Sequence, residues 1–168
     1  MSCQTTVGEL FELAISIERT AQDLYCALAS GFAHCQEVAA FWETYALEEA
    51  DHALWLEKVR NELTPEQLSA QADPGIVEEA RRILGVSVND ILKQIENLED
   101  AYQLVHEFES PETNTIFDFL ITHFYTREDA QSFMRNQLRE HIDKITTGFP
   151  IRFSSLAARR EVKLITRG

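Results

Sequence analysis

Glycine and proline are scarce, six and four residues in a chain of 168. Few positions therefore force the backbone to turn, which argues against a many-stranded sheet and for long helices. Cys3, Cys26 and Cys35 form no Cys-x-x-Cys pair, which argues against a metal knuckle or a disulfide framework; they read as free thiols of a reducing compartment. No apolar stretch reaches the roughly 18–20 residues that span a bilayer. The longest, Ile116–Phe124, is interrupted by Asp118 and His123. The N-terminus has no basic segment leading into an apolar run, so the reading is a cytoplasmic protein. Cations are also in deficit: the net charge of −13 argues against general nucleic-acid binding.

The charge is uneven. In residues 147–168, Arg152, Arg159, Arg160, Lys163 and Arg167 stand against Glu161, a net +4, leaving −17 on the remainder. The expected division is a helical domain over 1–146 and a basic tail over 147–168. Such a tail is expected to dock on its own domain or on a second copy.

What is present is helical periodicity. Leu10, Ala14, Ile17, Ala21, Leu24 and Leu28 recur at steps of three and four, one stripe of an amphipathic helix. Thr6 and Glu9 form a candidate capping box, and Gly31 a stop. A second helix is predicted over about 34–61, carrying Val38, Phe41, Trp42, Tyr45, Leu56 and Val59, so close behind the first that the two form an antiparallel hairpin. A crossover follows, with helix starts at Thr64-Pro65 and a short helix over 76–84 ended by Gly85. A third helix is predicted from Ser87 through Ile91, Ile95, Leu98, Tyr102 and Val105. A fourth is predicted as one unbroken element from Ser110 to about Thr146, with Phe124, Met134, Leu138, Ile142 and Ile145 inward. The fold class is all-α, a four-helix bundle of two hairpins.

Several charges fall on the apolar stripes. Glu18 lies four residues after Ala14 and three before Ala21. Glu49 lies four after Tyr45, with His52 one turn later. Glu96 and Glu99 sit one turn apart on the third helix, and Glu128 four after Phe124 on the fourth. Burying carboxylates costs several kcal/mol each unless protons or cations neutralise them, and divalent metals suit carboxylate–imidazole sets. Separations of 31 between Glu18 and Glu49 and 32 between Glu96 and Glu128 suggest one hairpin used twice, with Gln131 standing where the first hairpin has His52. His34, His106, His123 and His141 read as surface or satisfied core histidines.

Over about residues 5–146 the sequence resembles the rubrerythrin-like branch of the ferritin-like superfamily. The resemblance rests on Glu18 with Tyr25 seven later, the run Leu47-Glu48-Glu49-Ala50-Asp51-His52, Glu96-x-x-Glu99, and Glu128. It implies a bundle binding two irons through Glu18, Glu49, His52, Glu96, Glu99 and Glu128, with Tyr25 or Tyr102 donating a hydrogen bond beside them. It implies peroxide or O2 reduction, or ferrous oxidation, in a homodimer. No rubredoxin-like module is present, so the electron donor is expected to be a separate protein. Gln131 departs from the pattern. Two alternatives stand beside this reading: a single metal site, iron, zinc or manganese, held mainly by Glu18, Glu49 and His52, and a metal-free bundle serving interaction or regulation.

Overall fold

The computed structural model describes residues 5–108 and 111–165. The described residues are almost entirely helical, with two isolated β-bridges, Thr6 with Gln71 and Asn97 with Lys163. The architecture is all-α and ferritin-like.

Two long helices, α1 (Val7–Gly31) and α2 (Gln36–Glu62), form the antiparallel hairpin expected from their apolar stripes. The Thr6–Glu9 capping box starts α1, each side chain bonding the other residue's backbone N–H. Gly31 ends the helix without adopting a left-handed conformation. Its lack of a side chain serves space instead: a Cβ there would lie 2.3 Å from Leu164 Cδ1. The crossover carries α3 (Pro65–Ser69), capped by Thr64 and Gln67, and α4 (Pro74–Leu84), capped by Asp73 and closed by Gly85.

The second half differs from the expected pair of continuous helices. The third helix is divided into α5 (Val88–Leu92) and α6 (Leu98–Phe108). Asn97 causes the break: its side-chain oxygen accepts from the backbone of Glu99 at 2.9 Å and Asp100 at 3.2 Å. Asp100 in turn accepts from the backbone of Glu96 and Asn97. This reciprocal cap starts a new helix in mid-stripe.

The fourth helix is likewise two, α7 (Pro111–Phe124) and α8 (Glu128–Thr147). Ser110, the expected starting cap, lies outside the described residues. Between α7 and α8 the chain reverses, and Arg135 on α8 donates to Asp118 and Thr122 on α7. The side-chain amide of Gln131 donates to the Tyr125 carbonyl just past α7 and to the Ile121 carbonyl, which also accepts from the Tyr125 backbone N–H.

The basic tail folds onto its own bundle as a 3-10 turn (Ile151–Phe153) and α9 (Leu156–Glu161). Leu98 N donates to Val162 O, Leu164 N to Glu96 O and Ile165 N to Gly31 O, so the tail pairs with the break before α6 and with the end of α1. Phe149, Val162 and Leu164 pack on the apolar core there.

The core is in two parts. One gathers Leu10, Phe11, Ala14 and Ile17 of α1 with Leu56 and Val59 of α2, and with Phe117, Leu120, Met134 and Leu138. The other gathers Leu24, Tyr25 and Leu28 of α1 with Val38, Trp42 and Tyr45 of α2, and with Leu98, Val105 and Ile145. Between them along α1, α2 and α8 lie four buried polar residues: Glu18, Glu49, His52 and His141.

Candidate metal centre

Glu18 reaches this polar layer from α1, and Glu49 and His52 from successive turns of α2. One ligand atom from each lies within 4.8 Å of the other two. His52 Nδ1 is 3.1 Å from Glu49 Oε2 and 3.5 Å from Glu18 Oε2. A fourth residue joins from α8: His141 Nε2 is 2.9 Å from Glu49 Oε1, and its Nδ1 is 2.7 Å from Glu48 Oε2. Lys144 also donates to Glu48, and the Tyr45 hydroxyl donates to the His141 carbonyl at 2.8 Å.

Burial and these contacts set the charge states. Desolvation, reinforced by the Glu49 charge, pushes the Glu18 carboxyl up to about 8. Burial presses on Glu49 too, but hydrogen bonds from His141 and His52 outweigh it and hold Glu49 well below the usual carboxylate range. Burial acts against His52 as a cation, yet Glu18 and Glu49 raise it to about 10. Burial likewise opposes ionisation of Glu48, and His141 and Lys144 overcome it. Near neutral pH burial and these contacts together favour the protonated form of Glu18 and the charged forms of Glu49 and His52.

Of the six proposed ligands, the structure brings together Glu18, Glu49 and His52. It does not bring Glu96, Glu99 and Glu128 to them. Glu96 sits in the break before α6 and is exposed, its carbonyl taken by the tail. That break adjoins Gly31, and Glu18 lies about 20 Å back along α1 at about 1.5 Å per residue. Glu99 is buried but ion-paired with Arg159, and Gln103 donates to it at 2.8 Å. Burial works against ionised Glu99, and these two donors prevail, lowering its pKa. Glu128 is exposed at the first position of α8, where a negative charge favours the helix N-terminus.

Tyr25 is fully buried, stacked on Trp42 with ring centroids 6.0 Å apart and meeting Tyr45 edge-on. Tyr102 is half-buried at the tail, its hydroxyl 3.1 Å from His106 Nε2 and its ring 4.4 Å beneath the Arg159 guanidinium.

His141 is the residue that sequence reasoning passed over. The signal was present: His141 lies three after Leu138 and four before Ile145, on the inward stripe. Ile142 was expected there instead, and the structure corrects this. His141 is 2 % exposed and Ile142 36 %.

The donor set fits one divalent ion. Bonds of about 2.1 Å to imidazole nitrogen and carboxylate oxygen set neighbouring donors about 3 Å apart, close to the spacings of His52 Nδ1 from Glu49 and Glu18. A second ion held by the remaining expected carboxylates does not fit, because Glu96 and Glu128 face solvent and Arg159 already neutralises Glu99.

An all-α ferritin-like bundle with glutamates and histidine converging from adjacent helices is the architecture of the carboxylate metalloproteins. The chain belongs to the rubrerythrin family, whose family model matches residues 9–135. No curated protein and no solved structure matches it. His141 and the tail lie beyond the matched span. Among the described residues no helix is long and apolar enough to cross a membrane.

Proposed function

We propose that this chain is a non-haem iron protein of the rubrerythrin family, with one iron position built by Glu18, Glu49 and His52, acting in peroxide or O2 reduction or in ferrous oxidation. The observation that carries the reading is the convergence of these three buried donors within 4.8 Å. Iron held by Glu18, Glu49 and His52 would pass electrons from the donor protein to the oxidant one at a time and would polarise the oxygen it meets. Glu49 brings charge to the site already ionised, whereas Glu18 and His52 release protons as the ion enters. The two flanking apolar cores keep Glu18 and Glu49 out of bulk water and strengthen their charge interactions. A separate protein supplies the electrons that restore the metal.

The proposal includes a homodimer formed through the outer face of α2, where Leu47 and Leu54 are 69 % and 53 % exposed two turns apart. Sedimentation of wild type against Leu47→Glu/Leu54→Glu tests it; a monomeric wild type refutes it.

Anaerobic loading with Fe(II), followed by metal analysis of the desalted protein, tests the central claim. One iron per chain, abolished by Glu49→Ala, is the expected result. Equal iron in wild type and Glu49→Ala, at well under one per chain, refutes it and leaves the metal-free interaction module as the better reading. Zinc or manganese retained in place of iron keeps the site and refutes the redox role.

A further inference from the structure

A pocket of about 280 Å³ opens between α2 and α8, directly beside the buried cluster. Its inner end is His52, and Glu48, the partner of His141, forms part of its wall. Its apolar lining is Trp55, Phe133 and Met134, with the Gln137 amide and the Asp51 carboxylate completing it. For scale, an apolar cavity of about 150 Å³ holds a benzene molecule. The space therefore exceeds what dioxygen or hydrogen peroxide needs, and is near the lower limit of small-molecule sites, about 300 Å³.

The walls are set in advance. The Trp55 ring stacks on Phe117 at 5.4 Å and meets Tyr125 edge-on at 5.3 Å, so it presents a fixed aromatic face. Phe133, an aromatic that folding alone would bury, remains 61 % exposed beside it. Both carboxylates repel an anionic ligand. Neither is placed to cage an ammonium group: Glu48 is already bonded by His141 and Lys144, and Asp51 is exposed to water. The polar groups suited to orienting a ligand are the Gln137 amide and the edge of His52.

We propose that this chamber binds a small uncharged organic molecule with an aromatic or short alkyl body and a hydroxyl-type head, the body against Trp55 and Phe133 and the head toward His52. The inference rests on the metal reading and deepens it by giving that site an organic substrate class, a hydroperoxide, which two electrons from the separate donor protein and two protons would convert to the alcohol and water; the alcohol is thus the stable probe of the chamber. Binding itself requires no metal.

Calorimetric titration of the metal-free, full-length protein with benzyl alcohol, benzoate and benzylamine tests the proposal. Saturable binding of benzyl alcohol is expected, with benzoate at least tenfold weaker and benzylamine no tighter than the alcohol. Gln137→Trp, a change at an exposed position that fills the chamber, should weaken benzyl alcohol at least tenfold while leaving the circular dichroism spectrum and melting temperature near wild type. Benzoate as tight as the alcohol, benzylamine tighter, or a Gln137→Trp protein that binds as wild type overturns it. A wild type that takes up iron but not benzyl alcohol sinks the chamber and spares the metal site. The opposite pair of results does the reverse.

Discussion

Glu49 presents one carboxylate oxygen to each of two imidazoles: Oε2 lies 3.1 Å from His52 Nδ1, and Oε1 lies 2.9 Å from His141 Nε2. His52 belongs to the motif that the sequence displays, and His141 arrives from a helix that reverses direction to deliver it. The carboxylate is thereby held from both sides before any ion is present.

The first prediction concerns that arrangement. His141→Ala should weaken Fe(II) binding by roughly 10- to 100-fold, the usual effect of losing a group that orients a ligand. The effect should be read as a dissociation constant in an anaerobic competition titration. Glu48→Gln should give a smaller loss in the same direction, since it loosens His141 without removing it. Unchanged affinity in His141→Ala would mean that Glu49 needs no second support.

The metal-free protein should be most stable near pH 5 and should lose stability as the pH rises. Glu18 moves from an ordinary 4.5 to about 8 in the folded protein, and His52 from 6.5 to about 10. For both, the folded state binds the proton more tightly than the unfolded state. Their contributions are therefore complete below 4.5 and 6.5 and vanish as the pH passes 8 and 10. Both decline together between about pH 6.5 and 8. Glu48 and Glu49 are shifted the other way, so their contribution is lost on acidification below 4.5. Melting curves in chelator should fall from pH 6.5 to 8, and Fe(II) under anaerobic conditions should abolish that fall.

Glu99 and Arg159 give a third prediction, since their side chains are 7 % and 11 % exposed. Arg159→Ala leaves a buried carboxylate without its cation and should cost about 3 kcal/mol in denaturant unfolding. Glu99→Gln combined with Arg159→Met should recover most of the loss. Neither variant should alter iron stoichiometry, because the pair belongs to the contact between α6 and the tail and not to the polar layer that holds Glu18.

Glu96→Gln and Glu128→Gln should each leave iron content and melting temperature within error of wild type, as both side chains are exposed. A drop in bound iron in either variant would show that the loaded protein recruits a carboxylate that the metal-free bundle keeps outside.

The α1–α2 hairpin was legible because its signals agree. The Thr6–Glu9 cap, the apolar steps from Leu10 to Leu28, and Glu18 level with Glu49 all require the same geometry. The second half was misread because periodicity alone does not reveal an interruption. Ile91, Ile95, Leu98 and Tyr102 keep helical spacing across a break made by Asn97 and Asp100, whose reciprocal capping the apolar stripe does not reveal. At residues 125–127 no glycine or proline marks the reversal. What closes α7 there is the Gln131 side chain, the same residue that breaks the metal motif. The position where the metal motif lacks its second histidine is thus also a contact across the reversal. His141 reads in the sequence only as a surface or satisfied core histidine; it is indeed buried and satisfied, but its partners are Glu48 and Glu49, which a single helix's periodicity does not show.

The polar layer that separates the two apolar cores also bears on how the molecule comes apart. Each core has its own aromatic and aliphatic contacts, and the residues bridging them are ionisable groups whose mutual attraction changes with pH. Without metal, the half holding the chain reversal and the half holding the tail are joined in the interior by hydrogen bonds rather than by close-packed hydrocarbon. Amide exchange should then resolve two opening units along α1, one on each side of Glu18. Occupancy of the cluster by an ion would fuse them into one, so the site would act as a clasp on cooperativity as well as a seat for chemistry.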